Sequence, residues 1–127
     1  MLTLRLSVIR STEPAMEYLR SVLREYEADQ RLKVDLLTQE WPTAWSDLIR
    51  ITTHGIGPDV SVVGTTWIAA LAAMQALRPF EPSEIEPLGG PAAFLGSIWQ
   101  AGCAHSRVWA IPWLADTRVI LYWRSAL

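Results

Sequence analysis

At 127 residues the chain is the size of one domain and long enough to bury a core. Half of it is hydrophobic and only 19% is charged, which argues against disorder, and a net charge of −2 with scattered basic residues argues against a nucleic-acid partner. The single cysteine, Cys103, rules out an intrachain disulfide.

From the N-terminus, Leu2, Leu4, Leu6 and Val8 alternate with Thr3, Arg5 and Ser7, which is the period of a strand. No basic stretch precedes a continuous apolar run here, so no signal peptide is expected, and as written the chain is expected in the cytosol unless a leader was removed. Ser11, Thr12, Glu13 and Pro14 supply an N-cap, an acidic first turn and a proline placed where its missing N–H is harmless. The helix that follows runs to about Asp29. Its core stripe is expected at Met16, Leu19, Val22, Leu23 and Tyr26, opposite a solvated face carrying Glu13, Glu17, Arg20, Arg24 and Glu27.

Residues 32–38 repeat the strand alternation, with Leu32, Val34 and Leu36 against Lys33 and Asp35. Glu40, Trp41 and Pro42 open a second helix with a stripe at Ala44, Trp45, Leu48, Ile51 and Thr52, closed by Gly55 as a C-terminal cap. The central stretch, Gly57 to Pro79, reads as a turn, a short β-branched strand from Val60 to Val63, a Gly64-Thr65-Thr66 break and an apolar helix stopped by Pro79. Val60 to Leu77 carries no charge and has the length of a membrane span. The Gly-Thr-Thr interruption and the β-branched start favour instead a strand and a buried helix with its stripe at Trp67, Ala70, Leu71, Met74 and Leu77.

Pro79 to Pro91 reads as a loop with one helical turn at Ser83–Glu86. A fourth helix is expected from Gly90-Pro91 to about Cys103, with Phe94, Leu95, Ile98 and Trp99 as its apolar face. Arg107 to Pro112 is expected as a fourth strand and Val119 to Trp123 as a fifth. The fifth is apolar on both faces, so it needs cover on both sides, and a partner is expected to supply it.

Catalytic signals are weak. Cys103 and His105 lie two apart, a spacing that points side chains different ways on a helix, and neither His54 nor His105 has ligands at zinc spacing. His54, beside Gly55, reads as a residue facing the helix dipole. No phosphate-binding glycine motif occurs. The reading is therefore not an enzyme, with no metal and no cofactor.

Seven tryptophans stand against three tyrosines and two phenylalanines. Indoles fill cores, and they also form stacking platforms for flat ligand faces such as sugar rings. Position favours the second role for some of them, because one edge of a parallel sheet would gather Ser11, Thr12 and Glu13 after the first strand, and Glu40 and Trp41 after the second. Thr65, Thr66 and Trp67 would follow the third, and Trp113 and Asp116 the fourth. Ser, Thr and Glu before a helix also serve as caps, and Asp116 and Arg118 can pair with each other.

Two motifs carry a resemblance. Gly57-Pro58-Asp59-Val60, Gly64-Thr65-Thr66-Trp67-Ile68 and Leu77-Arg78-Pro79-Phe80 resemble the central motif of the sugar-binding-type solute-binding proteins of bacterial ABC importers. The run from Val108 through Pro112, Trp113, Asp116, Arg118 and Tyr122 to Leu127 is similar to that family's fourth strand and its crossover into a second lobe. The resemblance implies an α/β fold: a three-layer α-β-α lobe with a mainly parallel sheet, like the first lobe of a type II periplasmic-binding protein, incomplete without a partner or a second lobe. It divides the chain into a lobe at 1–116 and a crossover strand at 117–127. It implies binding of a sugar-like solute, delivery to an ABC permease and an extracytoplasmic location. Carried over by position, Glu13, Glu40, Trp41, Thr65, Thr66, Trp67, Trp113, Asp116 and Arg118 would line the cleft.

Against the family's pattern, the chain as written is expected to lack an export signal, a second lobe and a returning strand. Two expectations follow: a truncated lobe of a transport receptor, or a stand-alone interaction or regulatory lobe that forms a homodimer through Val119–Trp123 without a transported ligand.

Overall fold

The N-terminal alternation forms β1 (Thr3–Ile9), the central strand of a parallel sheet in the order β2-β1-β3, with β2 at Lys33–Gln39 and β3 at Val60–Ser61. The computed structural model describes residues 1–55, 57–116 and 119–126. It divides into two compact units, Met1–Trp67 and Ile68–Leu127.

In the first unit, α1 (Glu13–Gln30) and α2 (Trp41–His54) provide the crossovers that parallel strands require. Ser7 and Val8 are neighbours on β1 and point to opposite faces, yet both are buried, so the sheet is covered on both sides. Met16 of α1 and Ala44 and Leu48 of α2 complete the core. Val22 and Tyr26, expected in the α1 stripe, are exposed. At 100° per residue they lie about 120° and 80° round the helix from Met16, outside the strip that faces the sheet. Likewise Trp45 sits at the exposed border of the α2 stripe, and the Thr52 side chain is outside the described residues.

The helix ends follow from local chemistry. Thr12 takes the N-cap position without a side-chain hydrogen bond, and Pro14 occupies the first turn. Arg31 closes α1 in the left-handed region. Gly55, also left-handed, closes α2, whose last carbonyls are met by the His54 ring, with Nδ1 2.7 Å from the Arg50 oxygen.

The Gly57-Pro58-Asp59 turn fixes β3 to β1. The Asp59 carboxylate accepts the Arg5 backbone N–H at 2.7 Å, and Asp59 N–H donates to the Arg5 carbonyl at 2.9 Å. The Arg5 guanidinium reaches the Gly57 carbonyl at 3.3 Å and Asp35 of β2 at 3.9 Å, so one side chain spans the whole sheet. The polar face carrying Arg5 and Asp35 is thus an internal tie.

After β3 the chain makes a 3-10 turn at Thr65–Trp67. In the second unit α3 (Ile68–Ala73) buries Ile68, Leu71 and Ala72. The helix was expected to reach Leu77 but stops early, because Gln75 turns left-handed and the Ala76 N–H closes onto the Leu71 carbonyl at 2.9 Å. That closure is a Schellman motif built on glutamine instead of glycine. α4 (Pro82–Ile85) lies where the helical turn was expected.

The fourth helix is shorter than expected. A 3-10 turn at Pro91–Ala93 ends at an extended Phe94, and α5 covers only Gly96–Ala101. Next comes an antiparallel hairpin, β4 (Cys103–Ala104) and β5 (Arg107–Val108), with Phe80 bridged to Val108. The expected strand from Arg107 to Pro112 is therefore reduced to two residues and paired antiparallel. Gly102 permits this fold-back, since a Cβ there would lie 2.3 Å from the Ala110 carbonyl oxygen.

Val119–Trp123 forms no strand. A strand needs a neighbour's N–H and C=O groups, and none pairs with it among the described residues, so its side chains stand exposed, Ile120 at 95%. No helix among the described residues is long and apolar enough to cross a membrane.

Candidate functional site

Parallel pairing puts the carboxyl ends of all three strands of the first unit on one edge. Ile9 is in register with Gln39, so the next residues, Arg10 and Glu40, leave the sheet side by side. The Arg10 N–H extends the ladder to the Gln39 carbonyl at 2.8 Å, and its side-chain Nε donates to Glu40 Oε1 at 2.5 Å. The Glu40 hydrogen bond and charge, with a smaller contribution from Glu13, raise the Arg10 pKa above its ordinary value. Glu13, at the start of α1, is held by Arg20 at 3.0 Å. Both glutamates of the expected site are thus partnered by arginine, and the second carboxylate oxygen of Glu40 meets no donor among the described residues.

An indole cluster lies on the same unit. Trp41, the first residue of α2, stacks on Trp67 with ring centroids 5.2 Å apart and planes inclined at 21°. Trp45, one helical turn along, meets Trp67 at 5.4 Å and 53°. Gly64 lies against both members of the stack: a Cβ there would sit 3.3 Å from Trp41 Cη2 and 3.4 Å from the Trp67 ring. Trp67 is half-buried between its neighbours, whereas Trp41 is 57% exposed. Trp41 is the most exposed indole of the three, and Trp67 stacks against it.

Thr65 and Thr66 are exposed in the adjoining turn, and their hydroxyls take part in no hydrogen bond among the described residues. The edge therefore offers one exposed ring face, one held carboxylate and two unused hydroxyls. That set suits a polyhydroxylated ring, which has an apolar face and a hydrogen-bonding rim.

Of the nine residues expected at the site, the structure brings Glu40, Trp41, Thr65, Thr66 and Trp67 to this edge of the first unit, and Glu13 begins the helix that follows β1. Trp113 and Asp116 belong to the second unit, where both are exposed. They do not follow a strand of the parallel sheet, whose described members are β2, β1 and β3. Arg118 lies outside the described residues, and with it the suggested Asp116–Arg118 pair. Arg10 and Trp45 were not expected at the site. Arg10 was open to the same edge argument as Glu40, being the first residue past its strand.

No family model matches the sequence, and no curated protein matches it. Solved structures do. The sugar-binding protein MalE from the phytopathogen Xanthomonas citri is similar over 87% of this chain with 21% identity and a TM-score of 0.76. A solute-binding protein of an ABC transporter from Thermotoga lettingae, bound with α-D-tagatose, is similar over 89% of the chain with 20% identity and a TM-score of 0.80. The maltotriose-binding protein of Thermus thermophilus, bound with maltotriose, is similar over 84% with 19% identity and a TM-score of 0.73. The chain spans 28%, 29% and 28% of the length of these three structures respectively. Its α/β fold is that of the part of these solute-binding proteins that it covers.

Proposed function

We propose that this chain is a sugar-binding lobe of an ABC-type solute receptor, which recognises its ligand by stacking a sugar ring on Trp41. The observation that carries the reading is the Trp41–Trp67 stack at the sheet edge, beside the Arg10–Glu40 pair. Glu40 accepts a sugar hydroxyl through its free oxygen, and Thr65 and Thr66 donate or accept along the rim. Glu13, Trp113, Asp116 and Arg118 complete the contact set as candidates. The role is binding rather than catalysis, with an ABC permease as the downstream partner and an extracytoplasmic place of work. The fold shared with receptors of maltotriose and tagatose supports a sugar as the class of solute.

The test is thermal unfolding of the purified chain with a panel of mono- and oligosaccharides. A ligand that binds only the folded state raises the midpoint with its concentration. A midpoint that rises with one sugar and stays fixed with the others supports the reading; indifference to the whole panel counts against it.

A second reading rests on Val119–Trp123, whose five side chains are all exposed and apolar or aromatic. It takes the chain as an interaction or regulatory lobe that forms a homodimer through this segment, with no transported ligand. Light scattering separates the two: a dimer indifferent to sugar, converted to monomer by Val119→Asp with Leu121→Asp, favours the second.

A further inference from the structure

The second unit holds a small pocket between the Pro79–Pro82 segment and the β4–β5 hairpin, with a volume of about 230 Å³. It is smaller than clefts for drug-sized ligands, which run to roughly 300–1,000 Å³. Phe80, Pro82, Ile85 and Val108 give it an apolar floor. Two charged residues also line it, Glu81 from the Pro79–Pro82 segment and Arg107 from the hairpin.

Three features shape this pocket. Its walls are tied by hydrogen bonds: Phe80 N–H donates to the Val108 carbonyl at 2.7 Å, and Arg78 donates to Glu84 through two hydrogen bonds of 2.9 and 2.8 Å while Glu84 accepts the Glu81 N–H at 2.7 Å. The hairpin tip is strained, since both of its turn residues, His105 and Ser106, have positive φ (50° and 60°) at positions where Asn-Gly is the usual solution. Strained backbone of this kind gathers at functional sites, and here it presents Ser106 and Arg107 to the pocket. Finally, two opposite charges line one pocket: Glu81, whose charge also helps raise the pKa of the neighbouring Arg78, and Arg107 of the hairpin. Neither Glu81 nor Arg107 takes part in an ion pair among the described residues.

An anion and a cation lining a pocket with an apolar floor are the complement of a molecule that carries both charges and an apolar branch. We propose that this pocket is a second binding site, for a free α-amino acid with an apolar side chain. The ligand carboxylate meets the Arg107 guanidinium and the Ser106 hydroxyl, its ammonium meets the Glu81 carboxylate, and its side chain lies against Phe80 and Ile85. The site lies wholly in the second unit and is independent of the sugar reading.

The experiment is a titration of the ¹⁵N-labelled chain with L-leucine, N-acetyl-L-leucine and L-leucinamide, following backbone amide shifts. L-leucine is expected to shift the amides of Phe80, Glu81, Ser106, Arg107 and Val108 saturably, with millimolar affinity. Each analogue lacks one charge and is expected to bind about tenfold more weakly or worse. Arg107→Gln, a surface change, is expected to abolish the preference for L-leucine over L-leucinamide while leaving the rest of the spectrum in place. The proposal is overturned if L-leucine gives no saturable shift at these residues, if the three compounds bind alike, or if Arg107→Gln leaves the preference unchanged.

Discussion

Trp41 and Trp67 lie with ring centroids 5.2 Å apart, brought together from the start of α2 and the turn after β3 by the parallel pairing of their strands. Gly64 makes room for the pair. The Cβ of Gly64→Ala would press on Trp41 at 3.3 Å and on Trp67 at 3.4 Å, so the stack must open by a few tenths of an ångström. Coupled indoles give a strong near-ultraviolet circular dichroism signal. Gly64→Ala is expected to reduce that signal and to cost about 1 kcal/mol of stability, as modest overpacking does. An unchanged spectrum would mean that the rings do not depend on this glycine.

Asp59 carries part of the sheet's hydrogen bonding on its side chain, through the 2.7 Å bond from the Arg5 N–H. Asp59→Ala leaves that donor without its charged acceptor and is expected to cost about 2 kcal/mol in urea unfolding. Asp59→Asn keeps an acceptor and is expected to recover part of the loss.

The hairpin tip stores strain that sequence can release. His105→Asn with Ser106→Gly supplies residues that tolerate positive φ, and the double variant is expected to be more stable by about 1–2 kcal/mol. Equal stability would show that the tip is not strained in solution.

Glu84 is held down to about 2 from an ordinary 4.5, first by the Arg78 hydrogen bonds and then by the Glu81 backbone N–H. A carboxylate whose pKa is lowered on folding contributes stability above its unfolded value. That contribution is complete above pH 4.5 and is lost as pH falls towards 2. Titration of the Glu84 side-chain carboxyl by NMR is expected to give a midpoint near 2, and Arg78→Gln to move it up towards the ordinary value. Because the pair is on the surface, its effect on overall stability is small.

Periodicity made the first unit legible. The alternation of Leu4, Leu6 and Val8, the burial of Met16 and the left-handed Gly55 fall where the sequence puts them, although Val22 and Tyr26 do not join the buried stripe, and the edge argument picked out Glu40, Trp41 and Trp67. The second unit resisted for a common reason: its turns use residues that carry no turn signal. Gln75 ends α3 where glycine would have announced the stop, and His105-Ser106 makes a hairpin without Asn or Gly. Arg10 has its partner thirty residues away, and only strand register reveals the pair. Val119–Trp123 has strand composition, but composition does not supply the neighbour that a strand needs.

The central claim is that Trp41 is the stacking face for a sugar. The most direct test is a calorimetric titration of the chain and of Trp41→Ala with the sugar that raises the unfolding midpoint, beginning with maltotriose and tagatose. The expected result is saturable binding to the parent, weakened about tenfold or more in Trp41→Ala and largely restored in Trp41→Phe, with the fold unchanged in both. Equal affinity in the parent and in Trp41→Ala would contradict the claim, as would a parent chain that binds no sugar at all.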